Sequence, residues 1–193
     1  MQIMTGASHP SSRPATFRGF WHGSQLGPYQ LLCLRSFVAQ GHGFELFTYD
    51  AGIDVPDWIA RRDAREILPC DHVMVYRSGW GAGSPSLHSN LFRYAMLHRL
   101  GGWWVDLDVM LLRPDLPGGE EFFFHNGHGS IASAVLRFPA RDPLLAEAVR
   151  RSRAVSEDAA LWGQTGPRLI DALVTEHGRR DKAFPPHAGF PLD

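Results

Sequence analysis

The stretch Ser89-Asn-Leu-Phe-Arg-Tyr-Ala-Met-Leu-His-Arg-Leu-Gly-Gly-Trp-Trp-Val-Asp-Leu-Asp108 decides how this chain is read. Apolar residues recur at helical spacing from Ser86 to Leu100, and Gly101-Gly102 then stop the helix. Residues 103–112 follow at once with strand character, until Pro114 ends it. Alternation along a strand puts Val105, Leu107 and Val109 on one face and Trp104, Asp106 and Asp108 on the other. Ser86, Asn90, Arg93 and Leu97 share one face of the helix, beside an apolar face of Leu87, Leu91, Tyr94 and Ala95.

The flanking sequence extends the same alternation of elements. Residues 17–21 predict a short strand, and Pro28 opens a helix whose apolar stripe is Tyr29, Leu32, Cys33 and Phe37. Gly41 and Gly43 stop that helix, and residues 44–49 predict a second strand. A β-α-β opening of this kind implies a parallel sheet covered by helices. Residues 50–71 predict proline-bounded turns around a short helix at 58–66, and residues 73–76 a short strand. Residues 78–86, rich in glycine and serine, predict a loop. Further strands are expected at 121–125 and 131–138, and helices at 143–153 and 166–177. The fold class is therefore α/β, with a central, mostly parallel mixed sheet flanked by helices.

Two aspartates converging at a strand end repel one another unless a cation sits beside them. Lys182 is the only lysine, so the natural cation is a divalent ion. Carboxylate oxygens suit Mg²⁺ or Mn²⁺, with water and diphosphate oxygens completing the shell. Such an ion neutralises charge developing on a diphosphate leaving group. Asp108 is expected to hold the metal, with Asp106 beside it at the sugar and ribose side. Arg93 can donate a fork of hydrogen bonds to phosphate or sugar oxygens. From the residues alone this is a metal-binding, phosphate-handling site.

Composition excludes several other classes. The 193 residues carry a formal net charge of −1, with 44% hydrophobic and 20% charged residues. That balance supplies no field for a nucleic-acid partner. No apolar run approaches the roughly 20 residues needed to span a bilayer, so no integral membrane segment is expected. The two cysteines, Cys33 and Cys70, lack CxxC spacing and are read as buried free thiols of a reducing compartment. Residues 1–16, polar and rich in Ser and Pro, are expected to form a disordered leader, and residues 17–193 a single domain, short at its C-terminus.

Residues 86–114 closely resemble the DxD sugar-binding region of family 32 glycosyltransferases, whose pattern is S-D-x-x-R-Y, a helix, G-G, an aromatic strand and D-x-D. Phe20-Trp21-His22-Gly23, Asp63-Ala64-Arg65-Glu66-Ile67-Leu68-Pro69 and Gly163-Gln164-Thr165-Gly166-Pro167 also resemble bacterial members of that family. The resemblance implies a GT-A-type fold, a nucleotide-diphosphate sugar donor (UDP-linked hexose), Mn²⁺ or Mg²⁺, and transfer with retention to a glycan hydroxyl. It implies that Trp21 and Gly23 line the nucleotide pocket, that Arg93 contacts sugar or diphosphate, and that Gln164 and Gly166 belong to the substrate-binding set. The family's acid after Ser89 is here Asn90, which can still bond a sugar hydroxyl but carries no charge. The implied setting is surface polysaccharide synthesis in the cytoplasm, peripheral to the inner membrane face.

Two other functions fit parts of the pattern. One is a catalytically weak or inactive sugar-nucleotide-binding subunit, consistent with Asn90. The other is a DxD phosphatase, which needs a lysine and a second acidic cluster downstream. The run Gly79-Trp80-Gly81-Ala82-Gly83 lacks the Lys-Ser/Thr of a phosphate-binding loop, and is expected to be a flexible turn, with Trp80 as a lid residue over bound donor.

Overall fold

A computed structural model describes residues 14–189. The expected leader falls, for residues 1–13, outside the described residues. Ordered pairing begins early, because the Ala15 carbonyl accepts from Gly43 N–H at 2.9 Å and the first strand opens at Thr16.

Five strands form one sheet. They are β1 (Thr16–Trp21), β2 (Gly43–Thr48), β3 (Ala60–Asp63), β4 (Gly102–Val105) and β5 (Val135–Phe138), in the order β3-β2-β1-β4-β5. The first four are mutually parallel, and β5 runs antiparallel to β4. Helix α1 (Pro28–Ala39) links β1 to β2, and α2 (Ser86–Leu100) enters β4 directly. Helices α3 (Pro143–Arg153) and α4 (Pro167–Glu176) follow β5. This is the expected mostly parallel mixed sheet with flanking helices.

Two apolar clusters fill the faces of the sheet. One joins Phe20, Phe47, Trp104 and Leu136 to residues of α2, α3 and α4, among them Phe92, Leu97, Leu145 and Ile170. The other joins Phe17, Phe44, Trp103 and Val105 to Leu34 and Phe37 of α1 and to Phe122 and Phe124. Helix α2 lies between the sheet and α3, so Asn90 and Arg93 are buried along with its apolar residues. Two glycines let the chain turn straight from α2 into β4. Gly101 adopts φ +63° and Gly102 φ +83°, a region that side chains rarely occupy. A Cβ on Gly101 would also lie 2.5 Å from the Ala140 nitrogen.

Four expectations need correction. Residues 58–66 do not form a helix, because Ala60–Asp63 pairs with β2 as an edge strand, followed by a 3₁₀ turn at Ala64–Glu66. The charged composition that reads as helical protects that edge: Arg62 bonds Glu45 at 2.8 Å and lies over the Phe47 ring. Residues 73–76 and 121–125 contribute only isolated bridges, at Tyr76, Phe122, Phe124 and His125. In α1 the buried residues are Cys33, Leu34 and Phe37, while Tyr29 and Leu32 are exposed. Finally, β4 ends at Val105, so the acidic pair lies just beyond the strand. Both cysteines are free, Cys33 buried and Cys70 only half-buried.

A buried histidine ties α2 to the β2 side of the sheet. The Tyr49 hydroxyl donates to the Leu68 carbonyl at 2.6 Å, so His88 Nε2 donates to the Tyr49 oxygen at 3.0 Å. His88 Nδ1 then accepts from Met74 N–H at 3.4 Å. This neutral tautomer satisfies both nitrogens, and burial pushes the His88 pKa down to about 4, with His22 and His72 adding repulsion. The unfolded chain takes up this proton near pH 6.5, whereas the folded one resists it until about pH 4. The stabilisation is therefore complete above pH 6.5 and is lost as pH falls toward 4, by up to about 3 kcal/mol. Urea unfolding from pH 7 to 4 should show a steeper loss for the native chain than for His88→Gln. Parallel pH profiles would refute the assignment.

Candidate functional site

Parallel strands place their C-terminal ends along one edge, where loops are free to carry polar side chains. Trp21 ends β1 and Asp106 follows β4, and these two strands are neighbours, with Arg18 opposite Trp104. The D-x-D begins as the strand leaves the sheet. Asp106 N–H still donates to the Ala134 carbonyl at 2.8 Å, and the Asp106 carbonyl accepts from Val109 N–H at 3.2 Å, closing a tight turn. Aspartate is suited to open such a turn. Leu107 and Val109 still reach the apolar cluster, as the strand pattern predicts. Gly19 of β1 makes room for Leu107 and the strand end: a Cβ there would lie 2.7 Å from Leu107 Cδ2 and 3.0 Å from the Val105 carbonyl oxygen.

Asp106 is held from two sides. Its Oδ1 accepts from Arg93 Nη2 at 2.7 Å and from Trp104 Nε1 at 2.8 Å. The Arg93 side chain is 4% exposed and that of Asp106 30%. Arg93 lies over the Trp104 ring, with its guanidinium carbon 5.2 Å from the centroid. Withdrawal from water pushes the Asp106 carboxyl above the ordinary carboxylate range, Arg93 and Trp104 pull it down, and Asp108 pushes it further up.

The same guanidinium carries the contact onward. Arg93 Nη1 donates to Asn90 Oδ1 at 3.1 Å, and Asn90 Nδ2 donates to Thr165 Oγ1 at 3.2 Å. The Tyr94 hydroxyl, buried with its pKa pushed up to about 12, is shared between the carbonyls of Thr165 and Gly166 at 2.9 and 3.1 Å. A Cβ on Gly166 would crowd the Asn90 amide at 3.2 Å. Two turns of α2 thus bind the D-x-D turn to the loop before α4.

Asp108 differs from Asp106. It is exposed, and its carboxylate makes no hydrogen bond or ion pair among the described residues. Its backbone oxygen accepts from the Tyr29 hydroxyl at 3.3 Å. Trp21 Nε1 donates to the Gln25 carbonyl at 3.1 Å, which folds the 22–25 loop against that indole. Gly23, with φ +152°, sits against the same ring. Gln164 is exposed, and its Oε1 accepts from Leu161 N–H at 3.0 Å.

Of the residues expected at the site, Asn90, Arg93, Asp106 and Gly166 touch in series. Trp21, Gly23 and Asp108 stand at the same strand edge, and Gln164 shapes its own loop. Sequence reading missed Tyr29, Tyr94, Thr165 and the role of Trp104. Only Trp104 was signalled, by its place two residues before Asp106 on the same strand face. The Asp106 Oδ2 and the Asp108 carboxylate are the oxygens that could hold a hard divalent ion. No group of three or more His, Cys, Asp or Glu suited to a metal occurs among the described residues. Two carboxylates would supply only part of such an ion's shell, with water and substrate oxygens completing it.

Residues 74–123 match the family model described as a glycosyltransferase sugar-binding region containing a DXD motif. Among solved structures, the chain is similar to one titled PaToxG Glycosyltransferase, at 9% identity and a TM-score of 0.60. The alignment covers 84% of this chain and 68% of that one. At such low identity the likeness is one of fold. No curated protein matches the chain.

Because Arg93 is buried, removing its partner strands a charge. Asp106→Ala should cost about 3 kcal/mol in urea unfolding. Combining it with Arg93→Leu should recover part of that loss, giving a coupling energy of about 1 kcal/mol or more. Additive losses would mean that the pair is not energetically linked.

Proposed function

We propose that this chain, carrying a DXD sugar-binding region on a glycosyltransferase fold, moves a hexose from a UDP-linked donor to a glycan hydroxyl with metal assistance and retention of configuration. The observation that carries the reading is the unequal pair of acids: Asp106 clamped by Arg93 and Trp104, and Asp108 beside it, exposed and with its carboxylate unpaired among the described residues. An enzyme that must hold a cation and release it with product is served by one fixed and one free carboxylate.

In this reading Asp108 and the free Asp106 oxygen hold Mn²⁺ or Mg²⁺. Such an ion, when bound, supplies Lewis-acid neutralisation of the diphosphate leaving group. Arg93 acts first as a positioning residue, since both terminal nitrogens serve Asn90 and Asp106. Its Nε is buried with no hydrogen-bond partner among the described residues, so a direct contact of Arg93 with a sugar or diphosphate oxygen requires the site to open around it. Trp21 and the loop bent at Gly23 form the nucleotide side at the neighbouring strand end. Asn90 fits the family's acidic position by doing what a carboxylate cannot, accepting from Arg93 while donating to Thr165.

The phosphatase alternative lacks its cation, because Lys182 pairs instead with Glu121 at 3.5 Å. No helix among the described residues is long and apolar enough to cross a membrane. The free thiols support a reducing, cytoplasmic compartment, and action peripheral to the inner membrane face in polysaccharide synthesis belongs to the same proposal.

A thermal-shift screen of nucleotide sugars tests the donor. The midpoint should rise for UDP-hexoses in the presence of Mn²⁺, through linkage of binding to folding. Donor turnover should fall by roughly 100-fold or more in Asp108→Ala or with chelator. Turnover indifferent to both would overturn metal assistance, and tight donor binding without turnover would favour the non-catalytic subunit.

A further inference from the structure

The loop before α2 and the loop before α4 meet in an aromatic shelf that the donor chemistry does not use. Trp80 is 83% exposed and Trp162 is 40% exposed. Their ring centroids lie 4.7 Å apart with the planes at 83°. Trp162 in turn leans on Tyr76, centroid to centroid 5.1 Å, and Tyr76 is buried.

Both loops are pinned, contrary to the expected flexible turn. Gly83 N–H donates to the Tyr76 carbonyl at 2.8 Å and Tyr76 N–H to the Ser84 carbonyl at 3.2 Å. Across the gap, Glu157 accepts from Val75 N–H at 2.6 Å and from Arg77 at 2.8 Å. The Trp162 ring occupies the space that a Cβ on Gly81 would need, 2.0 Å away. The second loop is a tight turn: Gln164 N–H donates to the Leu161 carbonyl, while Leu161 N–H donates to Gln164 Oε1. Gly163 supplies the φ of +77° that such a turn demands at its third position.

The shelf is joined to the acidic pair through a chain of contacts. Trp162 is three residues from Thr165, at most about 11 Å of extended chain. Thr165 bonds Asn90, which bonds Arg93, which bonds Asp106. Gln164 Nε2, on the exposed side of the turn, makes no hydrogen bond among the described residues. Arg77, the cation nearest Trp80 in sequence, is paired with Glu157, and Arg168, exposed on α4, brings its Nε to 4.0 Å from where a Cβ on Gly163 would lie.

An indole this exposed leaves roughly 200 Å² of flat, largely apolar surface in water. A pyranose ring complements it, with a C–H face to stack on the indole and a rim of hydroxyls for Gln164. We propose that Trp80, Trp162 and Gln164 form an acceptor subsite that stacks a pyranose unit of a glycan. The word acceptor rests on the glycosyl-transfer reading, whereas the glycan-binding shelf stands on its own geometry.

Saturation-transfer NMR tests it on the full chain without nucleotide sugar or metal, using maltotetraose, cellotetraose and chitotetraose as probes. Irradiating the indoles should transfer signal to pyranose C–H protons of at least one probe. Trp80→Ala, folded by circular dichroism because its side chain is mostly exposed, should bind that probe about tenfold more weakly. No transfer to any probe, or an unchanged signal in Trp80→Ala, overturns the proposal. So does weakened nucleotide-sugar binding in Trp80→Ala with glycan binding intact, which would make Trp80 a donor lid. Glycan binding without donor turnover would sink the transferase reading and leave the shelf. Donor turnover with no glycan signal would sink the shelf alone.

Discussion

A buried guanidinium governs this site. Arg93 is almost fully withdrawn from water, and a charge so placed must be met by hydrogen bonds or the fold loses several kcal/mol. Asp106 meets it on one side and Asn90 on the other, with the Trp104 ring below. Asp106 and Trp104 come from the end of β4, and Asn90, on α2 itself, passes the contact on to Thr165. Satisfying one side chain therefore fixes the D-x-D turn against α2, and α2 against the loop of Thr165.

That constraint explains why the two aspartates are not equivalent. The tethered Asp106 spends one oxygen on structure and keeps the other. Asp108, one residue beyond the buried Leu107, keeps its whole carboxylate. The turn is seated by contact with β1, where Gly19 leaves room for Leu107 and the Val105 carbonyl. A rigid sheet edge carrying one fixed and one free acid is well suited to a cation that arrives with its ligand. The aromatic shelf extends the same construction outward, since the turn that presents Trp162 runs directly into Thr165, whose hydroxyl Asn90 holds.

Much of the fold could be read from local pattern. The bounds of α2 follow from its apolar spacing and the Gly101-Gly102 stop, the start of α3 from Pro143, and strands β1 and β2 from aromatic-rich runs. The edge strand β3 could not, because Ala-Arg-Arg-Asp has no strand preference of its own. It is a strand only because the open edge of β2 lies beside it. The length of β4 was overestimated for the converse reason: residues 106–112 have strand composition but no neighbour with which to pair.

By itself the sequence determined an α/β chain with an acidic pair after an aromatic strand, and with Asn90 and Arg93 one helix turn apart. Those features depend on residues close together along the chain, so periodicity and capping suffice to read them. Only the tertiary structure decided that Arg93 binds Asp106 rather than facing solvent, that Asp108 stays free, and that Trp80 meets Trp162. Each of these joins segments separated by 13 residues or more along the chain, and burial, which sets their strength, is a property of the packed molecule alone.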